Sequence, residues 1–409
     1  MKPETIRIID IWIGKIICFM LTCLRRFCDL LHLRKTTSQP IKKILFIKLI
    51  EQGATVLAYS AICRGAQMVG RENVYFCVFE ENREIIDILD VVPQGNVFAV
   101  RHKDFLVFLI DIIALLYKIR RIGIDAVVDM EFFARGSAIL AFLTGAKRRV
   151  GLHRYTSEAP YRGDLMTHRV QYNPYLHTSK TYNLLVETLK TELQEIPLVK
   201  IPVNQVEEVS PRFTCSHDET KHVETLLMQS FGKKIEGPII LLNPNASDML
   251  PLRKWPVENF IQLAQHILDT LSNAVIIITG APAEEVAAKD ICVKIGSPRV
   301  VSLAGKTSLQ SLIVLYTVSD VLVTNDSGPA HFASMTDIET VILYGPETPK
   351  LFGSLGNHFH PITAKLACSP CVNVYNHRFS PCTNNVCMQN ISVEEVLEKV
   401  QSCIQKNIK

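Results

Sequence analysis

Short apolar runs of strand length alternate with helical stretches along almost the whole chain, and this alternation restricts the fold more than any other feature. Ile44–Leu49 is nearly continuous in apolar residues, and after Gly53 a helical stretch runs from Ala54 to about Val69. Val74–Val78, Val97–Val100 and Ala126–Met130 read as further strands. Helices are expected near Arg83–Leu89 and over Phe105–Arg121, the second long and amphipathic. Strands apolar at every position belong in a parallel sheet covered on both faces, so these are βαβ units. Residues 153–215 break the rhythm with Pro160, Pro174, Pro197, Pro202 and Pro211. The pattern restarts with strands at Ile239–Leu242, Ala274–Thr279, Val300–Leu303, Val321–Thr324 and Val341–Tyr344, which complete a second sheet. A chain of 409 residues also exceeds the usual size of one compact domain. The expected architecture is α/β, with two Rossmann-like doubly wound domains at 41–210 and 211–409. Such sheets bind ligands at the carboxyl ends of their strands.

The first 40 residues stand apart. Ile6 to Leu33 is rich in Ile, Leu, Phe and Cys, but Arg7, Asp10, Lys15, Arg25, Arg26 and Asp29 interrupt it. Its longest apolar run, Ile16 to Leu24, is too short for a bilayer span of roughly 20 residues. At about 100° per residue the six charges fall within an arc of about 160°, and Trp12, Phe19 and Phe27 lie on the apolar remainder. The segment reads as an amphipathic helix lying in a membrane interface, with packing on the protein's own core as the alternative. Glu4 and Asp10 argue against a cleaved signal peptide. Thr36–Pro40 reads as a linker. A net charge of +4 is too small to indicate nucleic acid, and 12 scattered cysteines suit a reducing, cytoplasmic compartment.

The loops after the C-terminal strands carry chemistry. Val321–Thr324 runs into Asn325-Asp326-Ser327-Gly328-Pro329-Ala330-His331. Pro329 opens a helix there, Ser327 or Asp326 is placed to cap it, and a helix N-terminus after a polar turn suits an anion such as phosphate. Asp326 supplies a carboxylate and His331 an imidazole beside that point. The loop after Leu242 offers Asn245, Ser247, Arg253 and Lys254, a set suited to clamping a diphosphate. Glu284, opening a helix after Gly280-Ala281-Pro282-Ala283, suits ribose hydroxyls. An alternative for each of Arg253, Lys254 and Glu284 is an ordinary surface or helix-start charge.

Taken together, these pieces resemble glycosyltransferase family 9, which contains the lipopolysaccharide heptosyltransferases. The matching motifs are Lys254–Pro256, Ile278–Pro282, Leu303–Leu309, Asn325–His331 and Tyr344–Pro349, with Ile44–Ala58 and Gly145–Gly151 in the N-terminal half. The resemblance implies a GT-B fold, two Rossmann-like domains facing a cleft. It implies inverting, metal-independent transfer of a sugar, heptose from an ADP-sugar, to a lipid-linked glycan acceptor at the inner face of a membrane. It would have Asp326 hold donor sugar hydroxyls, and the amides of Ser327 and Gly328 meet the diphosphate. Arg253 or Lys254 would neutralise it, Glu284 would bind the ribose, and Thr307 would line the base pocket.

One position departs from the family. Active members usually carry an Asp directly after the Gly of the first strand–helix loop, as general base, and this chain has Ala54. Glu51 on the same loop, or Glu131 after another N-terminal strand, is the candidate substitute, and absence of a protein base is the third possibility. That departure keeps open a non-catalytic sugar-nucleotide or glycan-binding protein, and sugar-nucleotide epimerisation or hydrolysis is a further rival. Cys368, Cys371, Cys382 and Cys387 form two close pairs near the end. Packed thiols, a structural zinc and disulfides are the alternatives there, and no metal is expected at the site.

Overall fold

The computed structural model describes residues 3–31, 40–191, 200, 202, 208–247, 249–376 and 379–407. The expected linker at 36–40, Pro40 excepted, and Pro197 lie outside the described residues. The chain forms two compact units, Met1–Val209 with Val374–Asn376, and Ser210–Asn373 with His377–Lys409.

The first unit opens with helix α1 (Pro3–Leu30). Six strands follow: β1 (Ile44–Ile47), β2 (Val74–Phe79), β3 (Val97–Val100), β4 (Ala126–Asp129), β5 (Arg148–Leu152) and β6 (His168–Val170). The crossovers carry α2 (Gln52–Leu57), α3 (Tyr59–Val69), α4 (Arg83–Leu89), α5 (Phe105–Ile122) and α6 (Arg135–Leu143), and α7 (Thr178–Glu187) closes the series. All pairings are parallel, in the order β3-β2-β1-β4-β5-β6. The strand order therefore reverses between β1 and β4.

The second unit repeats this plan. Its strands are β7 (Ile239–Asn243), β8 (Val275–Ile278), β9 (Val300–Ser302), β10 (Val321–Asn325), β11 (Glu339–Tyr344) and β12 (Phe359–Thr363). Its helices are α8 (His217–Phe231), α9 (Val257–Thr270), α10 (Glu285–Ile295), α11 (Leu309–Thr317), α12 (Gly328–Ala333), α13 (Pro349–Phe352), α14 (Val386–Gln389) and α15 (Val393–Asn407). The order β12-β11-β10-β7-β8-β9 is parallel throughout, with its reversal between β7 and β10.

Every residue of β2, β4, β8, β10 and β11 is buried, which is why β2 and β8 read as unbroken apolar runs and why the polar residues of the others stand at strand ends. Contrary to the expectation from sequence, Val341–Tyr344 does not complete the second sheet, because β12 adds an edge. Its residues Phe359-His360-Pro361-Ile362-Thr363 are only partly covered, and an edge strand tolerates proline.

Trp255 anchors the second core. It is fully buried, its indole donates to the Ile391 carbonyl at 3.0 Å, and its ring meets Phe260 edge-on at 4.9 Å. Its backbone amide donates to Asn325 Oδ1 at 3.0 Å, which ties the loop after β7 to the end of β10. Trp255→Ala is expected to cost about 3–5 kcal/mol in chemical denaturation, from cavity formation and an orphaned carbonyl.

Two helices of the first unit leave large apolar side chains exposed. α1 packs along α6 through a polar stripe, Asp10, Gly14, Cys18, Thr22 and Arg25, and turns its apolar face outward. Asp10 accepts from the backbone amides of Arg135 and Gly136 at 2.9 and 2.8 Å, and so caps α6. Arg25 pairs with Asp164, and Thr22 accepts from the Asp164 amide at 2.8 Å. A Cβ at Gly14 would lie 2.9 Å from the Arg135 Cβ, so this close approach needs glycine. The other is α5, which is amphipathic as expected but carries apolar residues on its outer face as well as cations. Its own Leu115 and Ile119 are buried, yet Ile110, Ile113 and Tyr117 on its outer face are exposed. No described helix is long and apolar enough to cross a membrane.

Candidate functional site

The reversal of strand order opens a crevice in each sheet, and both crevices hold residues picked out from the sequence. In the second unit the loops after β7 and β10 meet. Asn325 joins them, its Nδ2 donating to the carbonyls of Pro244 and Asn245 at 3.0 and 3.2 Å. Asp326 follows, buried, beside Arg253 and hydrogen-bonded to Glu347. Arg253 Nη1 in turn donates to Glu347 Oε2 at 3.3 Å.

This arrangement leaves polar atoms unsatisfied. Asn245 Nδ2, Arg253 Nε and Asp326 Oδ2 are all buried and make no hydrogen bond. Such atoms are uncommon in folded proteins and cost about 1–3 kcal/mol each, so three at one crevice mark where a polar ligand completes the structure.

Glu347 lies in the Tyr344–Pro349 motif, where sequence alone gives it no role, and the structure makes it a member of the site. Burial raises it to about 8, the neighbouring Asp326 charge adds to this, and Arg253 opposes it. Asp326 is also raised by burial, against the pull of Arg253 and the Glu347 hydrogen bond. Two carboxyls and one guanidinium therefore share a dry pocket in which one proton is retained. A carboxyl raised on folding keeps its proton where the unfolded chain has lost it. Its contribution is intact below the ordinary value of 4.5 and is lost as pH climbs through about 8. Glu347→Gln is thus expected to flatten the decline of Tm between about pH 5 and 8, measured by thermal melts in matched buffers.

The remaining predicted residues sit around this centre. Contrary to the expectation from sequence, Ser327 does not cap α12 with its side chain. Its hydroxyl donates to the Asn325 carbonyl at 3.2 Å, and no side chain caps that short helix. Gly328 is the first residue of the helix and His331 is buried within it. Glu284 Oε2 accepts from the Ala281 amide at 2.7 Å. A Cβ added at Gly280 would fall 2.9 Å from Glu284 Oε2 and 3.0 Å from Asn245 Nδ2, so the loops after β7 and β8 converge there. Thr307, half-buried, lies in the loop after β9, and the Lys254 carbonyl accepts from Asn385 Nδ2 at 2.9 Å.

The crevice of the first unit holds both candidate bases, in different states. Glu131 is buried and its Oε1 accepts from the Leu49 and Ile50 amides at 2.6 and 3.2 Å. Lys48 Nζ donates to both its oxygens, at 3.2 and 3.1 Å. Those bonds hold the loop after β1 in shape. Glu51 at the end of that loop is 24% exposed, with Oε2 at 3.8 Å from Lys48 Nζ. Its φ is +69°, and Phe133 in the facing loop after β4 has φ +55°. Non-glycine residues held in such conformations cost about 1–3 kcal/mol each and gather where function requires them. Asp129 and Arg162, a buried ion pair that the sequence reading missed, support this loop. Asp129 accepts from the Glu131 amide at 3.0 Å, and Arg162 donates to the Glu131 carbonyl at 3.2 Å.

The cysteines form no disulfide among the described residues. Cys387 is buried while Cys368 and Cys382 are exposed. Among the described residues the potential metal ligands that gather within 4.8 Å of one another are instead Glu339, His360 and Cys403, at the opposite ends of the strands. Glu339 there already bonds both His358 and His360.

Comparison with known proteins agrees with the fold. Residues 112–379 match the family described as glycosyltransferase family 9 (heptosyltransferase). Lipooligosaccharide heptosyltransferase 2 of Campylobacter jejuni (strain 81116) is 28% identical over 173 residues, 42% of this chain and 51% of that protein. The chain thus spans about half the length of the curated relative. The structure of E. coli ADP-heptose lipopolysaccharide heptosyltransferase II superposes with a TM-score of 0.68 at 18% identity, covering 90% of this chain and all of that one. E. coli heptosyltransferase WaaC with ADP-2-deoxy-2-fluoro heptose gives 0.59 at 17% identity over 89% of this chain and 99% of its own. The fold is the GT-B class, with two Rossmann-like units and a preceding helix.

Proposed function

The chain belongs to glycosyltransferase family 9, and we propose that it moves a sugar, heptose, from an ADP-sugar to a hydroxyl of a lipid-linked glycan such as a lipopolysaccharide core precursor. The observation that carries this reading is the set of unsatisfied buried atoms on Asn245, Arg253 and Asp326 at the crevice of the second unit. A nucleotide sugar supplies what each lacks. Its hydroxyls donate to Asp326, and its diphosphate accepts from Arg253, Asn245 and the amides of Ser327 and Gly328. Glu284 takes the ribose, Thr307 borders the base, and Lys254 adds charge near the diphosphate. His331 supports the turn from within α12. A structural relative holds an ADP-heptose analogue, which supports an adenine nucleotide as donor.

The acceptor belongs to the first unit. Its hydroxyl oxygen attacks the anomeric carbon, the carbon–oxygen bond to the diphosphate breaks, and ADP leaves with that electron pair. The hydroxyl proton passes to Glu51, and the anomeric configuration inverts. The rate gain comes from positioning, base assistance and stabilisation of leaving-group charge, without a metal. Glu131 is a positioning residue, since its oxygens are occupied by the loop that presents Glu51. The work is done on the cytoplasmic face of a membrane, with α1 as the peripheral contact.

Ala54 favours a second reading, in which the protein binds a sugar nucleotide without turning it over. Calorimetry with ADP-, UDP- and GDP-sugars tests the donor assignment. Selective binding of one ADP-sugar supports it, and failure of the whole panel removes both readings.

A further inference from the structure

The helix layer on one face of the first sheet is unlike an ordinary protein surface. The connections β3 to β4 and β4 to β5 run in one direction across the sheet, so right-handed crossovers place α5 and α6 on the same face. α1 packs on α6 in that layer, and Arg120 of α5 donates to the Leu143 carbonyl at the end of α6 at 2.9 Å. The two long helices therefore flank a short, sunken one. Trp12, Phe19 and Phe27 on α1 and Ile110, Ile113 and Tyr117 on α5 are each more than half exposed. α5 is the more telling of the two, because a helix of a globular domain normally turns its apolar side to the core, and α5 also carries Ile110, Ile113 and Tyr117 outward.

The charges on these helices are sorted. Asp10 is held by Arg135 and the α6 amides, Asp29 by Arg25 at 2.9 Å, and Asp111 by Arg101 at 2.7 Å. The described acidic side chains of both helices thus each lie against an arginine. Cations stand at the outer edge, with Arg26 72% exposed, Lys15 over the Trp12 ring at 5.5 Å and Arg121 over the Tyr117 ring at 5.7 Å. An apolar surface with paired acids and cations beside the aromatic rings complements a bilayer carrying anionic headgroups.

We infer that α5 forms, with α1, a two-helix platform that seats the first unit on an anionic lipid surface. This rests on the reading of α1 as membrane-facing and extends the contact to a helix inside the domain itself. The polar stripe of α1 ties the platform, through Asp10 at the start of α6, to the helix that follows the loop of Glu131.

The test is flotation of the full chain with vesicles of phosphatidylcholine alone and with about one-third phosphatidylglycerol. Ile110→Glu/Ile113→Glu on α5 and Trp12→Glu/Phe19→Glu on α1 are compared with the parent. Each pair is expected to lower the partition coefficient on anionic vesicles at least tenfold. Raising salt from about 0.1 to 0.5 M is expected to bring parent binding down to its level on neutral vesicles. A serine pair at 110 and 113 serves if the glutamates impair folding, and is expected to weaken binding in the same direction. Parent-like flotation of the folded α5 variants overturns the inference. So does sedimentation showing a parent dimer that the α5 variants turn into monomer, since the face is then an interface between copies. Neither readout uses donor or acceptor, so a failed transfer assay leaves the platform untouched.

Discussion

Asp326→Asn is expected to fold at least as stably as the parent while losing donor binding by about 10–100-fold and kcat/KM by about a thousandfold. Both halves follow from the same observation. Asp326 is buried beside Glu347, and its Oδ2 has no hydrogen-bond donor. An unsatisfied oxygen next to a second carboxyl opposes folding, so an amide that donates to Glu347 relieves the strain between them. The sugar hydroxyls that the carboxylate receives are bound by charge-assisted hydrogen bonds, roughly twice as strong as neutral ones, and these are lost. Melting curves with and without an ADP-sugar measure the two effects on one sample. An Asn variant that is both less stable and ligand-competent would assign Asp326 to scaffolding.

Glu51→Gln is the second large effect, a fall of about 10²–10⁴ in kcat with donor affinity unchanged. The amide keeps the size of the side chain and removes the acceptor of the hydroxyl proton. Glu51→Gly provides the complementary result. Its φ of +69° is strained for glutamate and open to glycine, so the Gly variant is expected to hold or raise Tm while showing the same loss of rate. Glu131→Gln behaves differently. Its oxygens accept from Lys48, Leu49 and Ile50, so stability and rate fall together. Single-turnover rates and melts on the three variants separate a base from a positioning residue.

The sequence carried the strands well where burial is complete on both faces, as in Ile44–Ile47 and Val321–Asn325. It failed at β5, which opens on Arg148 and Arg149, at β6, three residues long, and at β12, where His360 and Pro361 interrupt the apolar pattern. α15 lies beyond the last expected strand, and its apolar stripe of Val396, Val400 and Cys403 covers the second core. In the site, motif residues that close a βα loop were visible because their place follows from the strand before them. Partners across the fold were not. Glu347 acquires its role only by meeting Arg253, 94 residues away, and Glu131 only by meeting Lys48 across 83. A helical wheel also cannot say which side of α1 faces the protein. Asp10 and Arg25 read as water-facing until Arg135 and Asp164 are seen to receive them.

The most direct test of the account is transfer itself. The full chain is incubated with ADP-heptose labelled in the sugar and with vesicles bearing a heptose-deficient lipopolysaccharide acceptor, and label is counted in the lipid phase, in the ADP-heptose fraction and as free sugar. The account predicts label in the lipid phase, dependent on Asp326 and reduced by Glu51→Gln. Label that stays in ADP-heptose bound to the protein, or appears as free heptose at the same rate without acceptor, contradicts it.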